Sequence, residues 1–143
     1  MKMFKHWMVV PTALAMVLSS AGLVRSQPIQ VSPGFAPDPL TVNGTSGGST
    51  ASQGCGMINS KPNHVLTLNN NFNYLRINVQ SQGGKPTLLI KGPNGSPTCV
   101  PADSLSGGKI QYPGYWEKGS YSLYIGDLGG GQHQYTLSIT QKP

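Results

Sequence analysis

His64 to Val79 reads HVLTLNNNFNYLRINV, and this stretch decides between helix and sheet for the chain. It lies in the longest run free of glycine and proline, Asn63 to Gln82, where a helix would have its best opportunity. Asn69, Asn70, Asn71 and Asn73 interrupt that run. Their amides compete for backbone hydrogen bonds and favour turns. On either side of the asparagines the apolar residues alternate. His64 to Leu68 reads as one strand. Tyr74 to Val79 reads as the next, with Leu75, Ile77 and Val79 on one face and Arg76 and Asn78 on the other. A helix would instead crowd Arg76 and Asn78 against the apolar stripe.

Downstream the pattern recurs. Pro86 to Lys91, PTLLIK, is a mostly apolar strand ended by the turn signal Gly92-Pro93-Asn94-Gly95. Thr98 to Pro101 is a short strand carrying Cys99, and Lys109 to Tyr112 is another. Tyr121 to Ile125 alternates with Tyr121, Leu123 and Ile125 inward. Asp127 to Gly131 turns the chain, and Tyr135 to Ile139 closes it with the same alternation. These segments predict an all-β fold, an antiparallel β-sandwich or jelly roll of about eight short strands. Two stretches are expected to stay outside the strands. Residues 27–38, with Pro28, Pro33 and Pro37, read as an extended, poorly packed linker. Gly44 to Gly56, rich in glycine, serine and threonine, reads as a long loop.

Lys2 and Lys5, the apolar run Trp7 to Leu18 and the small residues Ser19 to Gly22 have the organisation of a cleavable export signal. Small-x-small patterns end at Ala21 and at Ser26. With the second, the chain divides into a signal peptide (1–26), a proline-rich linker (27–38) and a β-sandwich domain (39–143). Export implies a secreted or periplasmic protein with no membrane span once the signal is removed, and removes ATP, nicotinamide cofactors and a reducing thiol buffer from the expected partners. Losing Lys2, Lys5 and Arg25 takes three charges from the formal +6, leaving +3. The remaining lysines and Arg76 are scattered singly, without the basic patch that releases counterions from several phosphates together, which argues against nucleic acid as a partner. Cys55 and Cys99 are the only two cysteines. In an oxidising compartment such a pair is most simply one disulfide.

Glu117 to Gly126, EKGSYSLYIG, followed by Gln134 to Ile139, QYTLSI, resembles the closing hairpin of bacterial pre-peptidase C-terminal domains. Asn73 to Val79 and Pro86 to Gly95 sit where that family places two core strands. The resemblance covers about residues 64–140. It implies a secreted β-sandwich of the kind appended to proteases and other exported enzymes, hence an accessory role. The family often has aspartates before the strand where this chain has Asn71 and Asn73, a departure at the calcium site of some members.

The acids outside the signal are Asp38, Asp103, Glu117 and Asp127, and no two are close in sequence. A glycosidase needs two carboxylates facing across one bond. Glu117 and Asp127 flank one strand and are the pair that folding would have to bring together. His64 and His133 lack the spacing of a zinc site, and no Gly-x-Ser-x-Gly nucleophile signature is present. No cofactor is expected; calcium is the one ion left open, on Asp103 and Asp127. The chain therefore reads as non-catalytic. The candidate ligand-binding residues are Tyr112, Tyr115 and Trp116, in the segment QYPGYW. Exposed aromatic rings on a proline–glycine turn bury much area at little entropy cost. Opposed to this is a core role, with Trp116 capping the sandwich and Tyr112 ending a strand. The expected function is a monomeric binding or accessory module for an extracellular or envelope polysaccharide or protein. The alternatives are a structural envelope-surface protein and a small secreted hydrolase.

Overall fold

The structure is a computed structural model that describes residues 28–143; the expected signal peptide lies outside the described residues. Eleven strands follow one another without a helix among the described residues. The first six are β1 (Ile29–Val31), β2 (Leu40–Thr45), β3 (Thr50–Ala51), β4 (Met57–Ile58), β5 (His64–Leu68) and β6 (Phe72–Ser81). The rest are β7 (Pro86–Lys91), β8 (Thr98–Pro101), β9 (Lys109–Trp116), β10 (Gly119–Asp127) and β11 (Gln134–Thr140). They form a seven-stranded and a four-stranded sheet.

The four-stranded sheet runs β2-β11-β6-β9 and is antiparallel throughout. In the other sheet β10 is the central strand. β5 pairs with its first half and β4 with its last residue on one side, and β7 pairs with it on the other. β8 then extends β7, β3 extends β4, and β1 lies parallel to β5. The asparagine run expected as a turn joins β5 in one sheet to β6 in the other.

The sheets meet through the predicted alternating residues. Leu66, Leu68, Leu88, Ile90, Leu123 and Ile125 face Leu75, Ile77, Val79, Ile110, Leu137 and Ile139, each 5% exposed or less. Burying a side chain of this size contributes about 1.5–3 kcal/mol, so this double row is what holds the sandwich together. One polar pair crosses the same interior. His64 on β5 hydrogen-bonds through Nε2 to the Tyr135 hydroxyl on β11 at 2.7 Å. Gly44 on β2 lies against the Tyr135 phenol, where a Cβ would collide with the ring.

Three sequence expectations are corrected. The stretch expected as a poorly packed linker is not one over its described residues, 28–38: Ile29–Val31 is a strand paired with β5, and Val31 is buried in the core. Proline spacing misled here, because the residues between Pro28 and Pro33 are free to donate to a ladder. Gly44 to Gly56 is not one loop. It closes β2, buries Ser46 and forms β3 before reaching Cys55. Finally, QYPGYW is no turn but the body of β9, where Pro113 is tolerated because β9 is an edge strand.

The segment from Ser46 to Ile58, which adds β3 and β4 to the margin of the larger sheet, brings Cys55 and Ile58 over its outer face. Its Cys55 is joined by a disulfide to Cys99 on β8, with Cα atoms 5.7 Å apart. Beneath it, Cys55, Ile58, Leu89 and Tyr124 form a second small apolar cluster. This flap explains why β7 and the end of β10 are buried on both faces, a pattern that reads in sequence as continuous rather than alternating hydrophobicity. Thr87 Oγ1 donates to the Cys55 carbonyl at 2.7 Å, satisfying a backbone group that the flap carries into the interior. Gly126 leaves the space: a Cβ there would stand 2.6 Å from Thr87 Oγ1 and 2.8 Å from the Cys55 oxygen.

Candidate functional site

The three aromatic residues singled out in sequence are brought to one place, in different environments. β9 pairs with β6 on one side only. Its inward residues are Ile110, Tyr112, Gly114 and Trp116. Near its end the register against β6 slips by one residue between Phe72 and Leu75, a bulge of the kind that re-aims side chains at sheet edges. Trp116 is only 5% exposed and belongs to the core. Tyr112 stands edge-on to it, with ring centroids 5.8 Å apart, and Tyr121 of β10 packs on it at 4.9 Å. These rings close the flank of the sandwich between β9 and the larger sheet. Trp116 thus lies beneath the surface, because inward residues of an edge strand still face the opposing sheet.

Tyr115 points away from that core and is 57% exposed. Together with Tyr112, Trp116, Glu117 and Tyr121 it forms one wall of a groove of about 320 Å³. The other wall is the end of β7 and its connection to β8, including Asn94, Ser96 and Thr98. The Tyr121 hydroxyl donates to the Glu117 carbonyl at 2.7 Å, which fixes its ring. Burial, assisted by Glu117 and Tyr115 nearby, holds the Tyr121 phenol above its ordinary pKa despite the Glu117 carbonyl bond, so it stays neutral. Sequence reasoning placed Tyr121 in the core, and read Asn94 and Gly95 as a turn and Thr98 as the start of a strand, without a place beside the aromatic residues. A Gly-Pro-Asn-Gly-Ser turn signals a loop, while its position beside β9 follows from sheet pairing alone.

The other chemistry-bearing residues are dispersed. Glu117 and Asp127 sit before the start and at the end of β10. At about 3.3 Å per residue this strand holds them roughly 30 Å apart, against at most about 9.5 Å for a glycosidase pair. His64 is buried against Tyr135, and burial pushes its imidazole below the usual pKa. His133 Nε2 lies 3.8 Å from Asp127 Oδ2. The nearby Ser46 hydroxyl accepts from the backbone N–H of His133 at 3.1 Å, and its contact is to that backbone group rather than to the ring.

Asp127, almost fully buried, accepts from the backbone N–H groups of Gly129 at 2.7 Å and Lys85 at 3.2 Å. It ties the turn after β10 to the turn before β7. Asp103 accepts from the Leu105 N–H within its own turn. Both carboxylates considered for calcium therefore serve turns, and among the described residues no three His, Cys, Asp or Glu side chains gather where they could share an ion. The turn that Asp127 holds borders a larger cleft of about 660 Å³ at the opposite end of β9, between residues 81–86 and 102–108. Among the described residues no helix is long and apolar enough to cross a membrane.

No family model matches the chain. An uncharacterised protein of Synechococcus elongatus is 34% identical over 141 residues, covering 96% of this chain and 96% of its own length. Among solved structures, the pre-peptidase C-terminal domain of a collagenase from Bacillus anthracis superposes with a TM-score of 0.51 at 17% identity. That alignment covers 81% of this chain and 97% of the domain, and it shows the fold that the closing hairpin resembled. PliG of Aeromonas hydrophila, a periplasmic inhibitor of g-type lysozyme, aligns over 80% of this chain and 96% of its own at 12% identity. With a TM-score of 0.37 that likeness carries no argument.

Proposed function

We propose, on the premise that this chain belongs to one family with the Synechococcus elongatus protein it matches along nearly its whole length, that it is an exported, non-catalytic binding module acting through the aromatic groove at the β9 edge. The observation that carries this reading is the half-exposed Tyr115 ring beside three packed rings. A large amphipathic side chain held at a rigid edge binds at low ordering cost. Trp116 sets the positions of Tyr112 and Tyr121, and Tyr115 makes the contact with help from the reachable edge of Tyr112.

The partner is an extracellular or envelope polysaccharide or protein, met in the secreted or periplasmic space by a monomer. The shared fold with a domain of a collagenase fits an accessory role beside exported enzymes. The test is a pull-down of the secreted protein on insoluble polysaccharides, collagen-like peptides and cell-envelope material, wild type beside Tyr115→Ala. Retention of the wild type and release of the variant are expected. Equal retention of both would remove the groove as the contact surface, and retention of neither would defeat the binding-module reading.

A further inference from the structure

We infer that the groove takes a neutral, hydroxyl-rich polysaccharide chain rather than a peptide or an anionic polymer, an inference that rests on the binding-module reading above. Its two walls differ in chemistry. One presents the rings of Tyr112, Tyr115 and Tyr121; the other presents Asn94, Ser96 and Thr98, all exposed. A pyranose ring has the same two-sidedness, with apolar C–H faces and a rim of hydroxyls. Stacking a face on a phenol ring and turning the rim toward amide and hydroxyl groups satisfies both at once. A volume of about 320 Å³ is at the low end of the range for small-ligand sites, which suits a short stretch of a chain passing along an edge.

Charge excludes the anionic polymers. No lysine or arginine lines the groove, and Glu117 is its one charged residue, so a uronate or sulfated chain would meet repulsion without a counter-charge. Backbone geometry disfavours an extended peptide. Strand addition requires an unbroken row of free N–H and C=O groups on the edge, whereas β9 has Pro113, which has no donor, and a bulge opposite its end.

The experiment is retention of the secreted protein on neutral polymers (glucan, mannan, chitin), anionic polymers (alginate, polygalacturonate) and peptide polymers (gelatin, polyproline), at low and high salt. Retention on at least one neutral polymer, unchanged by salt, is expected. Tyr115→Ala should weaken it about tenfold or more, the effect of an aromatic anchor. The double variant Asn94→Ala/Ser96→Ala should weaken it several-fold, both with unaltered melting. Retention only on peptides, lost in Tyr115→Ala, would overturn the sugar assignment and leave the groove reading standing. Retention only on anionic polymers and abolished by salt would do the same if Tyr115→Ala releases it. Retention on a neutral polymer that is indifferent to Tyr115, or no retention on any polymer, would overturn both.

Discussion

Replacing Trp116 by alanine separates the core support of the aromatic groove from the surface proposed to make contact. Trp116 is 5% exposed and packed between Tyr112 and Tyr121, so the substitution removes a buried indole and leaves a cavity that an edge strand can collapse into only partly. Buried Trp→Ala changes cost about 3–5 kcal/mol. Each edge-on aromatic pair is worth about 0.5–1.5 kcal/mol within that figure. A domain of this size has a total stability of about 5–15 kcal/mol, so Trp116→Ala should lose about a fifth of it or more. At about 4 °C per kcal/mol the melting temperature falls by roughly 12–20 °C. Tyr115→Ala, one residue away but exposed, should stay within about 0.5 kcal/mol of wild type. The assay is urea unfolding of residues 27–143, wild type and both variants, followed by circular dichroism; in the wild type Trp116 is then the one indole and its emission should be blue-shifted until the protein unfolds. A loss below about 1 kcal/mol for Trp116→Ala, or red-shifted emission before unfolding, would show that the indole is not core and refute this account of the site.

Three further outcomes follow from the fold. The Cys55–Cys99 link should leave no free thiol in the unfolded, unreduced protein, and its removal by Cys55→Ser/Cys99→Ser should cost up to about 4 kcal/mol in the chain-entropy picture for a 44-residue separation; limited proteolysis of the reduced protein should first cut between residues 46 and 58. Thr87→Val leaves the Cys55 carbonyl without its donor and should cost about 1–3 kcal/mol by denaturant titration, with Thr87→Ser retaining most of the bond. His64 has a folded-state pKa below its ordinary value of 6.5 because burial disfavours the cation. The unfolded chain therefore takes up the proton first. The stability this residue contributes is complete above about pH 6.5 and is lost as pH falls through the lower folded value; urea midpoints across that window should show the slope, and His64→Gln should flatten it.

Much of the sandwich was legible in the sequence because a strand's exposure has a period of two. His64 to Leu68, Pro86 to Lys91 and Thr98 to Pro101 appear as strands at the expected bounds. Leu75, Ile77 and Val79 lie on one buried face, and the two cysteines pair. These features depend on local alternation, breakers and the count of thiols. What escaped depends on partners far along the chain. Ile29–Val31 becomes a strand because β5 offers it a free edge, which proline content cannot reveal. The flap over Leu89 and Tyr124 exists because Cys99 faces outward from the larger sheet, a fact of register. The aromatic site shows the division most clearly. Composition singled out Tyr112, Tyr115 and Trp116 together, since aromatic rings near proline and glycine have the same local signature whether they face a core or a ligand. Only the tertiary structure, by setting β9 at an edge with its inward side against the larger sheet, buried Trp116, left Tyr115 exposed and brought Asn94, Ser96 and Thr98 across from it.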